Sequence, residues 1–224
     1  MSLDLWIGIL IALTPSFLLF VYLAGAKGSM WIAFVIGAIG WTIAGFLRAP
    51  ILSGILVAFD TAIAQSLPFF VLSSAFAGLF EDGIKYGLMK KIERVRADCR
   101  HVLSLGLGWG FVEAVQIYAL GVLAMVYIQG SQLTILDLLP GALERNMAVV
   151  LHASFSFIVF KALSDFRYLG LAMVLHALVD LVAVVSHWIL GPMRTGSLRA
   201  FRLAGRRTDV SDQQVLDIAN EFWR

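Results

Sequence analysis

The stretch Leu67–Met89, LPFFVLSSAFAGLFEDGIKYGLM, decides the fold class of this sequence. A helix rises about 1.5 Å per residue, so a run of this length crosses a hydrocarbon core about 30 Å thick. Glu81, Asp82 and Lys85 lie in its second half, and a charged side chain at the centre of a membrane helix costs about 2.5–3.5 kcal/mol. The stretch therefore predicts a transmembrane helix whose charged side chains face other helices or a water-filled cavity.

The rest of the chain has the same apolar character. Of its 224 residues, 60% are hydrophobic and 14% are charged, and the mean hydropathy is +0.87. Soluble domains are about 25% charged, so this composition excludes a water-soluble globule. We predict an all-α polytopic transmembrane bundle of about seven spans (six to eight), integral to the cell membrane. The predicted segments are 5–24, 30–47, 51–64, 67–89, 102–128, 139–163 and 168–190.

The first and third segments differ from the others. No basic residue precedes segment 5–24, which favours a retained span over a cleaved signal peptide. Segment 51–64 is short and contains Asp60. It therefore predicts either a short, steep span or a re-entrant segment.

The composition changes near residue 192. We predict two parts, a transmembrane bundle over 1–192 with its motif core at 67–190, and a basic, partly amphipathic tail over 193–224. Each basic residue near an anionic membrane surface contributes about 1 kcal/mol of attraction, so anionic lipid headgroups are the partner expected for the tail. The formal net charge of +2 gives no case for a nucleic-acid partner, and the single Cys99 excludes an internal disulfide. The basic residues of the tail are Arg194, Arg199, Arg202, Arg206 and Arg207.

Counting along the helices places several ionisable residues at similar depths. Glu81 lies nine residues before Lys90, His152 nine before Lys161, and His176 nine after Arg167. The loops at these ends share one face of the membrane, so all three side chains are expected about 13 Å below it. Glu113 and Asp180 lie about one turn deeper. The sequence predicts that these residues, from separate helices, converge inside the membrane.

A carboxylate and imidazoles at one depth suit water activation, with the carboxylate as general base. Lys85 is expected to tune Glu81, because the two residues are four apart on one helix face. Two other interpretations stay open. The polar groups can be ties between helices, worth about 0.6 kcal/mol each, or His152, His176 and a carboxylate can hold zinc. No metal or other cofactor is expected, because the sequence has no His-Glu-x-x-His helix and the two histidines lie on separate helices.

Four motifs in series carry a resemblance to a known family. Phe80–Tyr86 (FEDGIKY) resembles the Glu-Glu-x-x-Arg-Tyr motif of the CAAX-protease and bacteriocin-processing superfamily of glutamic-type intramembrane proteases. Gly106–Ala114 (GLGWGFVEA) resembles the Gly-His-Gly-Gly-x-Glu-Ala segment of its YhfC-type branch. Leu143–His152 is similar to the Glu-Arg…His helix of that branch, and His176–Asp180 resembles the closing His-x-x-x-Asn/Asp motif.

The resemblance implies hydrolysis of peptide bonds in membrane-embedded polypeptides. In that superfamily the first motif glutamate and the last motif histidine activate water, roles that fall here on Glu81 and His176. His152 is expected to help hold the water or an oxyanion. Asp180 is expected to orient His176, and Asp180 and Glu113 are expected to lie behind the groups that touch the water. The catalytic set is then Glu81, His176, His152, Asp180 and Glu113, and the supporting residues are Asp82, Lys85, Glu144, Arg145 and Trp109.

Three departures from the motifs bear on activity. Asp82 replaces the second glutamate, and Lys85 replaces an arginine and so loses its planar bidentate fork. Trp109 stands in the place of the second-motif histidine, and its N–H can only donate. The protein is therefore expected to be either an active protease or a protease-derived pseudoenzyme.

A second resemblance fits the loss of that histidine. The stretches 14–17, 151–155, 167–176 and 196–199 look like the anterior-pharynx-defective scaffold subunit of gamma-secretase, which has no proteolytic activity of its own. This resemblance implies a non-catalytic assembly subunit whose groove receives a partner transmembrane helix. A small transporter is a third interpretation, because intramembrane charges also serve proton relays.

Overall fold

The structure, a computed structural model, describes residues 3–59 and 61–194. Asp60 and residues 195–224 lie outside the described residues. The predictions that concern Asp60, and those for the arginines of the tail beyond Arg194, therefore stay predictions.

Within the described ranges the regular structure is all helical and has no strand, as the predicted all-α fold class requires. Six helical stretches are long and apolar enough to cross a membrane, and one of them joins α4, a π-helical turn at Ala114–Ala119 and α5. The chain is thus a multi-pass integral membrane protein. The helices are α1 Leu3–Ala24, α2 Gly28–Phe59, α3 Leu67–Lys91, α4 Cys99–Glu113, α5 Leu120–Tyr127, α6 Ile135–Ala162 and α7 Arg167–Arg194.

The predicted third segment is not a separate span. Residues 51–59 continue α2, which is 32 residues long, and Thr61–Gln65 forms a 3₁₀ turn. The predicted break at Arg48 and Pro50 was wrong. Membrane helices tolerate proline where neighbouring groups satisfy the freed backbone, and the Arg48 guanidinium is paired with a carboxylate of α3.

Side chains in the loops fix where several helices begin. Ser66 Oγ accepts a hydrogen bond from Phe69 N at the start of α3. Asp98 Oδ1 accepts from Arg100 N and His101 N at the start of α4, and Thr134 forms a capping box with Asp137 at the start of α6. These caps satisfy amides that have no partner inside the helix. They thereby set the register in which each helix presents its polar side chains.

α4 lies between α2 and α6, and glycines permit the close approach. A Cβ at Gly108 would overlap the carbonyl of Phe34 on α2, and a Cβ at Gly110 would lie 2.7 Å from the Val149 Cα on α6. Small residues at helix contacts are typical of membrane bundles, where packing rather than the hydrophobic effect holds helices together. The spacing brings Trp109 of α4 close to α2 and Glu113 of α4 close to α6.

α1 is tied to α6 at its proline. Pro15 has no backbone N–H, so the carbonyl of Ile11, four residues earlier, loses its helical partner. Asn146 of α6 donates from Nδ2 to that oxygen at 2.9 Å. The proline thus creates an acceptor that a neighbouring helix satisfies.

The chain divides into two compact units, Met1–Asp180 and Leu181–Arg224. The first contains α1 to α6, the first part of α7 and every candidate site residue. The second begins within α7.

Candidate active site

The polar face of α3 supplies the central charges of the site. Glu81, Asp82 and Lys85 are 4%, 0% and 0% exposed. Lys85 Nζ donates to Asp82 Oδ1 at 3.0 Å. The ammonium is thus paired with the residue three positions away rather than with Glu81, four positions away, and the expected tuning of Glu81 by Lys85 stays a prediction.

Both carboxylate oxygens of Glu81 are held by donors from other helices. Arg48 Nη1 of α2 donates to Oε1 at 3.1 Å, and Trp109 Nε1 of α4 donates to Oε2 at 3.0 Å. The Trp109 ring also lies 4.8 Å from Lys85 Nζ, a cation–π distance. Glu81 is therefore fixed in orientation by donors from two other helices.

His176 of α7 is oriented by a carboxylate. Its Nδ1 lies 3.1 Å from Asp82 Oδ2, and a carboxylate only accepts, so in the neutral ring the hydrogen is on Nδ1 and Nε2 is an acceptor. That Nε2 lies 3.9 Å from Glu81 Oε2 and 3.9 Å from Asp180 Oδ2. The Phe155 ring stacks on the imidazole at 4.8 Å.

His152 of α6 is oriented in the same manner by another carboxylate. Its Nε2 is hydrogen-bonded to Glu113 Oε2, and Arg145 Nη1 donates to Glu113 Oε1 at 2.6 Å. Arg145 also donates from Nη2 to Glu144 at 2.7 Å. His152 Nδ1 is buried and has no hydrogen-bond partner among the described residues. A carboxylate only accepts, so in the neutral ring the hydrogen is on Nε2 and Nδ1 carries a free lone pair.

The convergence predicted from helix counting is confirmed. One ligand atom each from Glu81, His152 and His176 lie within 4.8 Å of one another, and the two imidazole centroids are 5.3 Å apart. Trp109 reaches this cluster through Glu81, and Asp180 reaches it through His176. The roles assigned to these residues stay predictions.

The three donor atoms fit a divalent metal ion. Two imidazole nitrogens and a carboxylate oxygen are a common zinc donor set, and each imidazole is held by a carboxylate at its other nitrogen, as at metal centres. Five carboxylates and three basic side chains lie in the described cluster. The three basic side chains balance the three buried carboxylates, and the remaining charge of −2 lies on Glu144 and Asp180, whose side chains are 40% and 39% exposed. The charged members of the cluster are Glu81, Asp82, Glu113, Glu144, Asp180, Arg48, Lys85 and Arg145.

Arg48 is the site residue that sequence reasoning missed. Its position beside Pro50, at the end of an apolar run, is typical of a loop. One signal was available: an arginine inside a membrane helix is costly unless a carboxylate pairs with it. Glu81 is the carboxylate that remains without a basic partner on its own helix, because Lys85 pairs with Asp82.

The fold and the site define a polytopic membrane protein with a buried cluster of carboxylates and imidazoles. A comparison with known families matches residues 9–132 to a family described as YhfC intramembrane metalloprotease, and the chain belongs to this family. The match covers more than half of the chain and includes Arg48, Glu81, Trp109 and Glu113. It confirms the resemblance to the YhfC-type branch. No curated protein and no solved structure matched the chain.

Proposed function

We propose that the protein is an intramembrane metallopeptidase that hydrolyses peptide bonds of membrane-embedded polypeptides. Glu81, His152 and His176 would hold a divalent cation such as zinc. The observation that carries the proposal is the convergence of their donor atoms within 4.8 Å, with each ligand fixed by a partner of its own. The family description, an intramembrane metalloprotease, supports the same reaction class.

An unpartnered imidazole nitrogen supports a cation in particular. His152 Nδ1 is buried and has no hydrogen-bond partner among the described residues. A divalent cation held by Glu81, His152 and His176 would give this nitrogen a partner.

Glu81 suits the role of ligand better than that of base. Arg48 and Trp109 each donate to one of its oxygens, which fixes the carboxylate in orientation, and the second lone pair on each oxygen stays available to a metal ion. Asp180 accepts no hydrogen bond from the described residues, and its carboxylate is partly exposed next to His176. We therefore propose Asp180 as the general base, in place of the role that the resemblance gives to Glu81.

The reaction follows from these positions. A bound divalent cation would act as a Lewis acid on the peptide carbonyl and on water. Asp180 takes a proton from the attacking water as its oxygen bonds to the carbonyl carbon. The proton then passes to the amide nitrogen as the C–N bond breaks, giving a carboxylate end and an amine end. Arg48, Trp109, Asp82 and Glu113 hold the ligands in place throughout.

Metal content and cleavage, measured together, test the proposal. Wild type, Glu81→Gln, Asp180→Asn and the control Glu93→Gln, whose carboxylate is exposed on a 3₁₀ turn outside the site, are purified in detergent. Their metal is quantified by mass spectrometry, and cleavage of a transmembrane reporter polypeptide is followed.

Wild type and Glu93→Gln are expected to retain a divalent metal and to cleave the reporter. Glu81→Gln is expected to lose both, and Asp180→Asn to keep the metal while cleavage falls at least about 100-fold. Cleavage that survives Glu81→Gln, or a wild type that binds no divalent metal, would contradict the proposal.

A non-catalytic assembly subunit is the second candidate. The observation that favours it is that each buried carboxylate ties different helices: Glu81 joins α2, α3 and α4, Asp82 joins α3 and α7, and Glu113 joins α4 and α6. Such ties stabilise a bundle without chemistry. A wild type that neither binds metal nor cleaves, while Glu113→Gln lowers its unfolding temperature, would support this alternative.

A further inference from the structure

The helix ends define two faces of the first compact unit. The loops 25–27, 92–98 and 163–166 follow alternate crossings and lie at one face, which we call the basic face because Lys27, Arg94 and Arg96 are among its residues. The loop 128–134, between α5 and α6, lies at the opposite face. Counted from the basic face, Glu81, His152 and His176 are each nine or ten residues deep, about 15 Å.

An apolar cluster closes the space between the site and the basic face. Met89, Val95, Val102, Leu105 and Val159 are each 0% exposed and belong to one contiguous core. They come from α3, the 3₁₀ turn after it, α4 and α6, within about six residues of the basic face. No water path is expected through a contiguous apolar core at native packing density.

Charged groups on the other side of the site are exposed. The side chains of Glu144, Asp180 and Arg48 are 40%, 39% and 21% exposed. Counted from the basic face they are 18, 13 and 20 residues deep, so they lie between the site and the face of loop 128–134. Lys85, six residues deep on the closed side, and Asp82, at the depth of the site, are charged too, but both are 0% exposed.

The free-energy cost of a charge in hydrocarbon argues against contact between these charged side chains and acyl chains. A charged side chain that faces lipid at membrane depth costs at least about 2.5–3.5 kcal/mol, and such groups in membrane proteins face a wet cavity or one another. Glu144 is paired with Arg145, and Arg48 with Glu81. Asp180 accepts no hydrogen bond from the described residues, so water is expected at its exposed surface.

We infer that water, and with it the polypeptide segment that carries the scissile bond, reach the site from the face of loop 128–134, through a vestibule bordered by Arg48, Glu144 and Asp180. The inference rests on the proposed function in that the vestibule admits a substrate. The scissile peptide bond would thus enter from the side of the membrane on which loop 128–134 lies. A segment unwound at that side reaches Asp180 first and the ligand cluster next.

Cysteine labelling on α6 tests the inference. Glu144→Cys and Ser156→Cys lie on either side of His152, and Ser156 is fully buried and nearly isosteric with cysteine. Both are made in a Cys99→Ser background, because Cys99 is the single native cysteine. A membrane-impermeant maleimide is applied to either side of sealed vesicles, with Gln129→Cys marking one face and Arg94→Cys the basic face.

Glu144→Cys is expected to react from the side that labels Gln129→Cys, and Ser156→Cys from neither side. Asp180→Cys is a second labelling position in the vestibule if Glu144→Cys does not fold. Reaction of Ser156→Cys from the basic face, or no reaction of both vestibule positions where Gln129→Cys reacts, would overturn the inference.

Labelling requires neither metal nor cleavage, so the two claims fail separately. A labelled vestibule in a protein that neither binds metal nor cleaves leaves the entry of water from that face standing, and it overturns the proposed function together with substrate entry. An unlabelled vestibule in an active metallopeptidase does the reverse.

Discussion

Trp109 takes the position of a motif histidine and holds a carboxylate instead. Its indole N–H donates to Glu81 Oε2, and its ring lies under Lys85 Nζ. An indole neither accepts a proton nor binds a metal, so the substitution removes one type of chemistry at this position. It leaves a rigid donor that fixes Glu81 toward His152 and His176. The loss of the histidine is therefore compatible with a metal site built from the other residues.

Trp109→Phe keeps an aromatic ring and deletes the donor. The buried Glu81 carboxylate then loses one of its two donors, and a hydrogen bond to a charged group contributes about 1.5–3 kcal/mol. We expect a lower unfolding temperature and weaker metal binding. Thermal unfolding and metal titration check this, with Trp6→Phe at an exposed position of α1 as the control. Equal behaviour of the two variants would contradict the proposed role of the indole N–H.

Glu113 acts on the site through His152. Glu113→Gln loses the charge-assisted hydrogen bond to Nε2 and frees the imidazole to turn. Changes in groups that orient a metal ligand weaken binding about 10–100-fold, so we expect that loss in zinc affinity with the ligands intact. Competition with a chelator of known affinity measures it, and Glu93→Gln is expected to match wild type. An unchanged affinity would mean that Glu113 serves packing alone.

At the scale of the helix, the sequence predicted the elements that carry charges at regular depth. α3, α6 and α7 begin and end within a few residues of their predicted limits, because their apolar runs are bounded by charged or capping residues. α2 was misjudged because Arg48 and Pro50 resemble a loop. Whether an arginine pairs with a residue 33 positions away depends on tertiary packing, which a local pattern does not contain.

The Pro15–Asn146 tie between α1 and α6 predicts a specific coupling. Asn146→Leu leaves the Ile11 carbonyl without its donor, and we expect a loss of about 1 kcal/mol in the free energy of unfolding. In a Pro15→Ala background, the new alanine supplies a backbone N–H to that carbonyl, so the same change is expected to cost less. A double-mutant cycle of the four proteins measures the coupling. Additive effects would show that the hydrogen bond does not contribute.

At the scale of the whole molecule, the fold class and the depth of the site could be predicted, and the network of partners could not. Counting along helices placed Glu81, His152 and His176 at one height because helical rise is constant. It gave no information on rotation about each axis beyond the i, i+4 rule. Counting along helices therefore could not predict that Lys85 pairs with Asp82 and Arg48 with Glu81.

The number of crossings has a direct consequence for the loops. With six spans, Lys27 and Arg94 lie at the same face, whereas the seven segments predicted from the sequence place them at opposite faces. We expect Lys27→Cys and Arg94→Cys, in a Cys99→Ser background, to react with an impermeant maleimide from the same side of sealed vesicles. Reaction from opposite sides would restore a separate third span.

The coordination of a bound metal tests the central claim most directly. X-ray absorption of the zinc-loaded protein is predicted to show two imidazole nitrogens and a carboxylate oxygen at about 2.0–2.2 Å. One imidazole is expected to be lost in each of His152→Asn and His176→Asn. A spectrum that neither substitution alters, or a purified protein that takes up no zinc, would contradict the account.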